Sequence, residues 1–524
     1  MSERSGIRGS RAPRGAELRA KQLQVRLDEA ATQLLVTVGD IAALTGKRPS
    51  VVSRWRKQPV RPFPEPVSGG RSPMFNATEA LVWLEEHGHL LEGQPGSAWF
   101  WRQAVRVLPA ATDAAQRAHL RSFVASLVAL GAAGHRRLGS KHPNSATIHE
   151  LPTTAPALRD LARTIEDRQP ALRGLLVSGL EEADPDPEVL AILVVALDHA
   201  LLAVTADASG VPTSSDLLDD ALATLAELSP GAPVTQDTLA DLIAAITGDW
   251  AATKVLDPAC GEGALLTRLA ERGARTRTLV GIEIDARAAR IARIRLALRG
   301  VDAEIDIQDA FRSGIPDRSF DAVVIDPPAG DGGRGTSRWL TLASNVLAPG
   351  GRAAVVVPAA SLRSNAAGGE ALRQRRVAAI VLLPPTVRHG VRDTQALALL
   401  SARGGHAKVL VVDLSDHRTS RNPSPCPQIA RLLNHWFADP ATAESQLVAF
   451  TKNTHIRTDV IDSRDALAQG PIRPIIPRLP SELEEAVLHL QRLLDQNPDL
   501  RGAEKLADSL HLFAKRQGVR TLAD

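Results

Sequence analysis

Asp326, Pro327 and Pro328 end the apolar run FDAVVI at residues 320–325, and together they suit an exocyclic amino group. The Asp326 carboxylate and the Pro327 carbonyl can accept both of its N–H groups. That favours a more tetrahedral nitrogen whose lone pair points at an incoming electrophile; the rest is positioning in line with the leaving group. Proline at both following positions fixes the backbone and removes competing donors. No covalent nucleophile is needed.

A second group of residues could hold the methyl donor. TKVLDPACGEGALLTRLAERG, residues 253–273, reads as a short strand, a glycine loop and an amphipathic helix. Gly261 and Gly263 allow a sharp turn and a close backbone approach to a ligand. Glu283 near the end of TLVGIEID stands where a doubly wound fold puts an acid against ribose hydroxyls. Asp309, after AEIDIQ, can accept from an adenine amino group, and Asp257 can hold an ammonium. A dinucleotide fits poorly, because Glu262 would face its pyrophosphate. S-adenosylmethionine, cationic and without phosphate, fits better.

The elements that position these residues alternate between strand and helix over 229–477, an α/β domain with a mainly parallel sheet. Residues 1–34 are a basic lead-in, 35–92 a compact module, 98–225 a region of apolar residues at helical spacing, and 478–524 a polar helical tail. No internal repeat is visible.

In the compact module, VTVGDIAALTGKRPSVVSRWRKQ predicts helix, turn, helix. Ile41, Ala42 and Leu44, then Val51, Val52 and Trp55, face inward, with Gly46 in the turn. Ser50, Arg54, Arg56 and Lys57 are left outward, the pattern of a helix-turn-helix whose second helix enters the major groove. The following segment is similar to the wing and closing helix of excisionase-like and MerR-like domains, with Arg71 in the wing. A small helical bundle with a solvated basic face would give the same pattern.

Composition bounds the rest. The 524 residues suggest several domains, and a net charge of +3 does not by itself argue for nucleic acid. Two cysteines, Cys260 and Cys426, cannot make a disulfide framework or a zinc site, so no metal is expected. No apolar run reaches the ~18–20 residues of a membrane span, and the N-terminus lacks a signal-peptide core, so a cytoplasmic location is expected.

The loop LDPACGEGALL, the strand GIEID, the strand end IDPPAG and the run LAPGGRAAVVVPAASLRSNAAGGEALRQRRVAAIVLLPP resemble the adenine-specific N6 DNA methyltransferases. The likeness is greatest to the modification subunit of type I restriction systems. It implies a Rossmann-like class I fold that binds S-adenosylmethionine through Thr235, Asp257, Pro258, Gly261, Gly263, Glu283 and Asp309. It implies Asp326, Pro327 and Pro328 at a base flipped out of the duplex. Gln236 replaces the proline that usually follows the threonine. Ala329 stands where the family has an aromatic that stacks on the flipped base, a contact worth about 1–3 kcal/mol. Its loss weakens base capture and leaves the amino-group acceptors in place. His389, Trp339 and Phe311 are candidates to stack instead, though each also reads as a surface or core residue. C5-cytosine methylation would need a cysteine nucleophile, and Cys426 is far from the strand end.

The expected function is adenine-N6 methylation of double-stranded DNA, in a restriction or phage-defence setting with a specificity or restriction subunit as partner. A regulatory DNA-binding protein that keeps the methyltransferase fold without the reaction is the alternative. Methylation of RNA or of a protein amide is a third.

Overall fold

A computed structural model describes residues 34–56, 62–67, 73–89, 96–108, 114–135, 151–206, 213–228, 237–248, 250, 252–272, 278–328, 332–362, 374, 376–384, 394–415 and 426–462. Lys57, Arg71, Thr235, Ala329 and His389 lie outside them, as do the basic lead-in up to residue 33 and the tail beyond 462. Two compact units divide the chain. One holds residues 1–316, 320–326 and 386–390, the other 317–319, 327–385 and 391–524.

The first unit begins with β1 (Leu35–Thr37), α1 (Val38–Thr45) and α2 (Pro49–Trp55), then β2 (Met74–Asn76) and α3 (Ala77–Glu86). Thr37 starts α1 through a reciprocal cap: its backbone N–H donates to Asp40 Oδ2 at 2.9 Å, and Asp40 N–H donates to Thr37 Oγ1 at 3.2 Å. Pro49 opens α2, where its missing donor costs nothing. β1 and β2 pair antiparallel. Ile41, Ala42, Leu44, Val52 and Trp55 are buried, and Val51 is half-buried. Trp55 and Trp83 pack on His89, and Phe63 on Phe75, to make a small aromatic core.

Among the described residues, six α-helices follow: α4 (Gly96–Arg106), α5 (Ala114–His135), α6 (Ala155–Arg168), α7 (Leu176–Leu180), α8 (Pro187–Ala206) and α9 (Ser214–Leu228). α5 is buried along residues 121–134, as its nearly unbroken run of apolar and small residues requires. It packs against α7, α8 and α9. Trp101 of α4 donates its indole N–H to Leu217 O at 2.9 Å, which docks α4 on α9 without an orphaned donor.

The remainder of this unit alternates. α10 (Asp237–Gly248), β3 (Lys254–Asp257), α11 (Ala264–Glu271), β4 (Thr278–Glu283), α12 (Ala286–Leu298), β5 (Ala303–Ile307) and β6 (Phe320–Ile325) follow in order. Its four strands are all parallel, in the order β6-β3-β4-β5. The chain steps outward from β3 to β5 and then returns to the other side of β3. In doubly wound sheets ligands bind at such a reversal, outside the carboxyl ends of the strands, which are here β3 and β6. Ile291, Ile294 and Leu298 of α12 join the same hydrophobic core as the helices and the N-terminal module.

In the second unit, α13 (Gly332–Val346) precedes β7 (Leu347–Pro358), β8 (Val377–Leu382), β9 (Gln395–Ser401) and β10 (Lys408–Asp413). α14 (Cys426–Ala438), α15 (Pro440–Thr454) and β11 (Arg457–Asp462) complete it. The strand order is β7-β9-β8-β10-β11, and only the β8–β10 pair is parallel. β8 and β9 are buried throughout. Trp339 is buried on α13. Among the described residues no helix is long and apolar enough to cross a membrane.

Candidate functional site

Acidic side chains collect at the carboxyl ends of the first unit's strands. Asp257 is the last residue of β3 and is 2% exposed. Its Oδ1 accepts from Ala259 N–H at 3.1 Å. Burial, with the nearby charges of Asp326 and Glu283, pushes its pKa from an ordinary 3.8 up to about 8, and the Ala259 hydrogen bond offsets only part of this. Asp257 is therefore protonated at neutral pH unless a cation joins it. Half-buried Asp326 follows β6 directly, with Pro327 buried and Pro328 exposed beyond it.

Glu283 ends β4, and its two oxygens tie the loop together. Oε2 accepts from Gly261 N–H at 2.8 Å and Oε1 from Asp285 N–H at 2.9 Å. Gly261 and Gly263 both take left-handed backbone angles, φ 54° and 78°, which disfavour a side chain. Their surroundings differ. A Cβ on Gly261 would meet nothing within 4 Å, whereas one on Gly263 would lie 2.9 Å from the Ala292 Cβ of α12. Gly261 thus opens onto free space, and Gly263 lets the loop sit against a helix. Pro258 lies between these anchors, in the turn after β3.

Asp309 follows β5 and caps a turn. Its Oδ1 accepts from Phe311 N–H at 2.9 Å, and its Oδ2 lies 3.6 Å from the exposed Arg312 guanidinium. Phe311 is half-buried. Cys260 is buried within the loop, and burial pushes its thiol pKa well up, so no reactive thiolate forms.

Sequence reasoning misplaced Glu262. It does not present a charge to the ligand crevice; its carboxylate pairs with Arg121 of α5 in a two-pronged ion pair. Burial pushes the Glu262 pKa up, but Arg121, with help from Arg295, outweighs it and leaves the carboxyl below its ordinary value. Held on Arg121, Glu262 is no bar to a pyrophosphate. Ile284, 72% exposed, and Ile307, 47% exposed, were also missed. They sit at the ends of β4 and β5, where Ile307 is the register partner of Glu283. Apolar residues at strand ends normally read as core, so only their exposure marks them.

At the N-terminal helix pair, Ser50, Arg54 and Arg56 are exposed as expected. The Arg56 guanidinium also lies over the Phe75 ring at 5.2 Å, which restrains its direction.

Residues 237–381 match the family model of the methyltransferase small domain. Over that stretch the chain is similar to a methyltransferase domain. Its strand order, switch point and glycine loop are those described above. Among solved structures, the chain is similar to the type I restriction-modification system methyltransferase subunit from Streptococcus thermophilus. The identity is 16%, with 65% of this chain and 92% of that one covered at a TM-score of 0.50. A modification subunit from Vibrio vulnificus, described as that of a type I restriction enzyme, matches at 16% identity. It covers 66% of this chain and 89% of its own at a TM-score of 0.48. At 16% identity the likeness to the Streptococcus thermophilus subunit is one of fold. No curated protein matches the chain.

Proposed function

We propose that the chain is an S-adenosylmethionine-dependent DNA methyltransferase acting on adenine N6, working with a restriction or specificity subunit. The observation that carries the reading is the buried Asp257 carboxyl at the switch point, at the end of β3 with Glu283 and Asp326 beside it. Such a site gains most from a cation. When bound, the cofactor supplies an electrophilic methyl on a sulfonium and an ammonium group. Asp257 pairs with the cation in its ionised form, releasing a proton as it does so. Glu283 offers acceptors to ribose hydroxyls, Asp309 to the adenine amino group, and Ile284 and Ile307 an apolar surface to the ring. Gly261 leaves open space beside them.

On the substrate side, Asp326 and the Pro327 carbonyl accept the two amino N–H groups of the target base, and the prolines hold the carbonyl rigid. Target DNA is held by the N-terminal helix pair through Ser50, Arg54 and Arg56, with Lys57 and Arg71 in support. This arrangement favours DNA over RNA or a protein amide.

One observation supports a second reading. Ala329 removes the expected base-stacking ring, as it would in a regulatory DNA-binding protein that has kept the fold and lost the reaction. Modified-base sequencing of cells carrying the intact gene or Asp326→Ala separates the two, with all partners present. Loss of N6-methyladenine from a defined motif in the variant is the expected result. Identical maps, with the variant protein folded and expressed, would refute methylation by this chain and leave the regulatory reading.

A further inference from the structure

The glycine loop is gripped from outside the α/β layer. Glu262, between its two left-handed glycines, meets Arg121 of α5, 141 positions earlier in the chain. Arg121 is 6% exposed. It donates Nε–H to Glu262 Oε1 and Nη2–H to Oε2, and its third nitrogen, Nη1, donates to Leu222 O of α9 at 2.7 Å. Arg295 of α12 holds the same loop residue by its backbone, donating from Nη1 to Glu262 O at 2.9 Å. Arg295 Nε–H in turn donates to Asp219 Oδ1 of α9 at 2.8 Å.

Two glycines with positive φ leave the loop backbone little stiffness of its own. The residue between them is therefore the natural point at which its shape is imposed. A planar guanidinium bound in bidentate fashion fixes direction as well as distance. If Arg121 were lost, Glu262 would lose its hydrogen-bonded partner and keep only the weaker attraction of Arg295. Its half-buried carboxylate would then turn further toward water and pull the loop with it, and Gly261 N–H would move away from Glu283.

We propose that Arg121 is a positioning residue for the cofactor loop, so that the helical layer sets cofactor affinity through the Arg121–Glu262 pair. The inference rests on the S-adenosylmethionine reading given above. Arg121 touches no reacting atom in this scheme; it acts through Glu262.

The test titrates S-adenosylhomocysteine calorimetrically into the full-length chain. The proteins are wild type, Arg121→Gln, Arg121→Lys and the double variant Arg121→Gln/Glu262→Gln. Hydrogen exchange of the peptide spanning residues 257–266 is followed alongside. Arg121→Gln is expected to weaken binding roughly tenfold or more, the scale of a lost charge-assisted pair. It should speed exchange in the loop and leave exchange in β8 and β9 unchanged. Arg121→Lys, which keeps the charge without the fork, should fall between the two. The double variant, which lacks the pair but leaves no carboxylate without its partner, should bind more tightly than Arg121→Gln and more weakly than wild type. Unchanged affinity and loop exchange in Arg121→Gln would overturn the proposal, as would faster exchange everywhere at once, the sign of a purely structural role. Wild type that binds while every variant binds equally sinks this inference alone. Wild type that takes up no S-adenosylhomocysteine sinks the cofactor reading and this inference with it.

Discussion

Asp257→Asn should make the free protein more stable, and by an amount that grows with pH. Asp257 is buried beside Asp326 and Glu283, and its pKa is raised to about 8. A carboxyl with a raised folded-state pKa contributes its full stability only below the unfolded value. That contribution is lost as pH rises through the folded value. The native state therefore loses about 1.4 kcal/mol per pH unit relative to the unfolded chain, from near pH 4 up to about pH 8. Asparagine keeps an oxygen to accept the Ala259 N–H and carries no charge to bury. The stability gap between variant and wild type should accordingly widen by something on the order of 4 kcal/mol between about pH 5 and pH 8, then level off. Urea unfolding of both proteins across that range, without ligand, measures the gap. A constant gap would mean that Asp257 is ionised in the folded protein at its ordinary pKa, and the reasoning would fail. The same variant should lack the pH dependence of cofactor uptake expected of wild type, since the proton released on binding would come from Asp257.

Glu283→Ala frees Gly261 N–H and Asp285 N–H at once. It should lower S-adenosylhomocysteine affinity by roughly ten- to a hundredfold in calorimetry, the scale of one or two hydrogen bonds to a charge. Gly263→Ala and Gly261→Ala should part company. The first places a Cβ 2.9 Å from that of Ala292 and should cost about 1–3 kcal/mol in thermal or urea unfolding. The second meets no atom and should cost about 1 kcal/mol in stability, while it blocks cofactor binding. Replacing Arg54 and Arg56 together by alanine should make the dependence of log affinity for DNA on log salt shallower by about 2, if each neutralises one phosphate. An unchanged slope in a filter-binding or anisotropy titration would remove both from the DNA interface.

By itself, the sequence determined the features that depend on a few adjacent residues. Gly261 and Gly263 marked the loop because only glycine tolerates its backbone angles. The acids at 257, 283 and 309 lay at or just past the ends of apolar runs, and such runs read as strands. The buried and exposed faces of α1 and α2 followed from helical spacing. Tertiary structure alone decided what the charges do. Glu262 looks like a loop carboxylate facing a ligand, yet its partner Arg121 is 141 positions away and no local signal names it. Arg287 and Arg290 of α12 meet Glu182, and Arg295 of α12, with Arg299 just beyond it, meets Asp219, pairings that no local pattern names. The ionisation of Asp257 likewise depends on burial and on Glu283 and Asp326, brought beside it only when β4 and β6 flank β3. Backbone conformation is set over a few residues, whereas electrostatic energy depends on distance and burial in three dimensions; the loop was therefore legible before folding and its charge state was not.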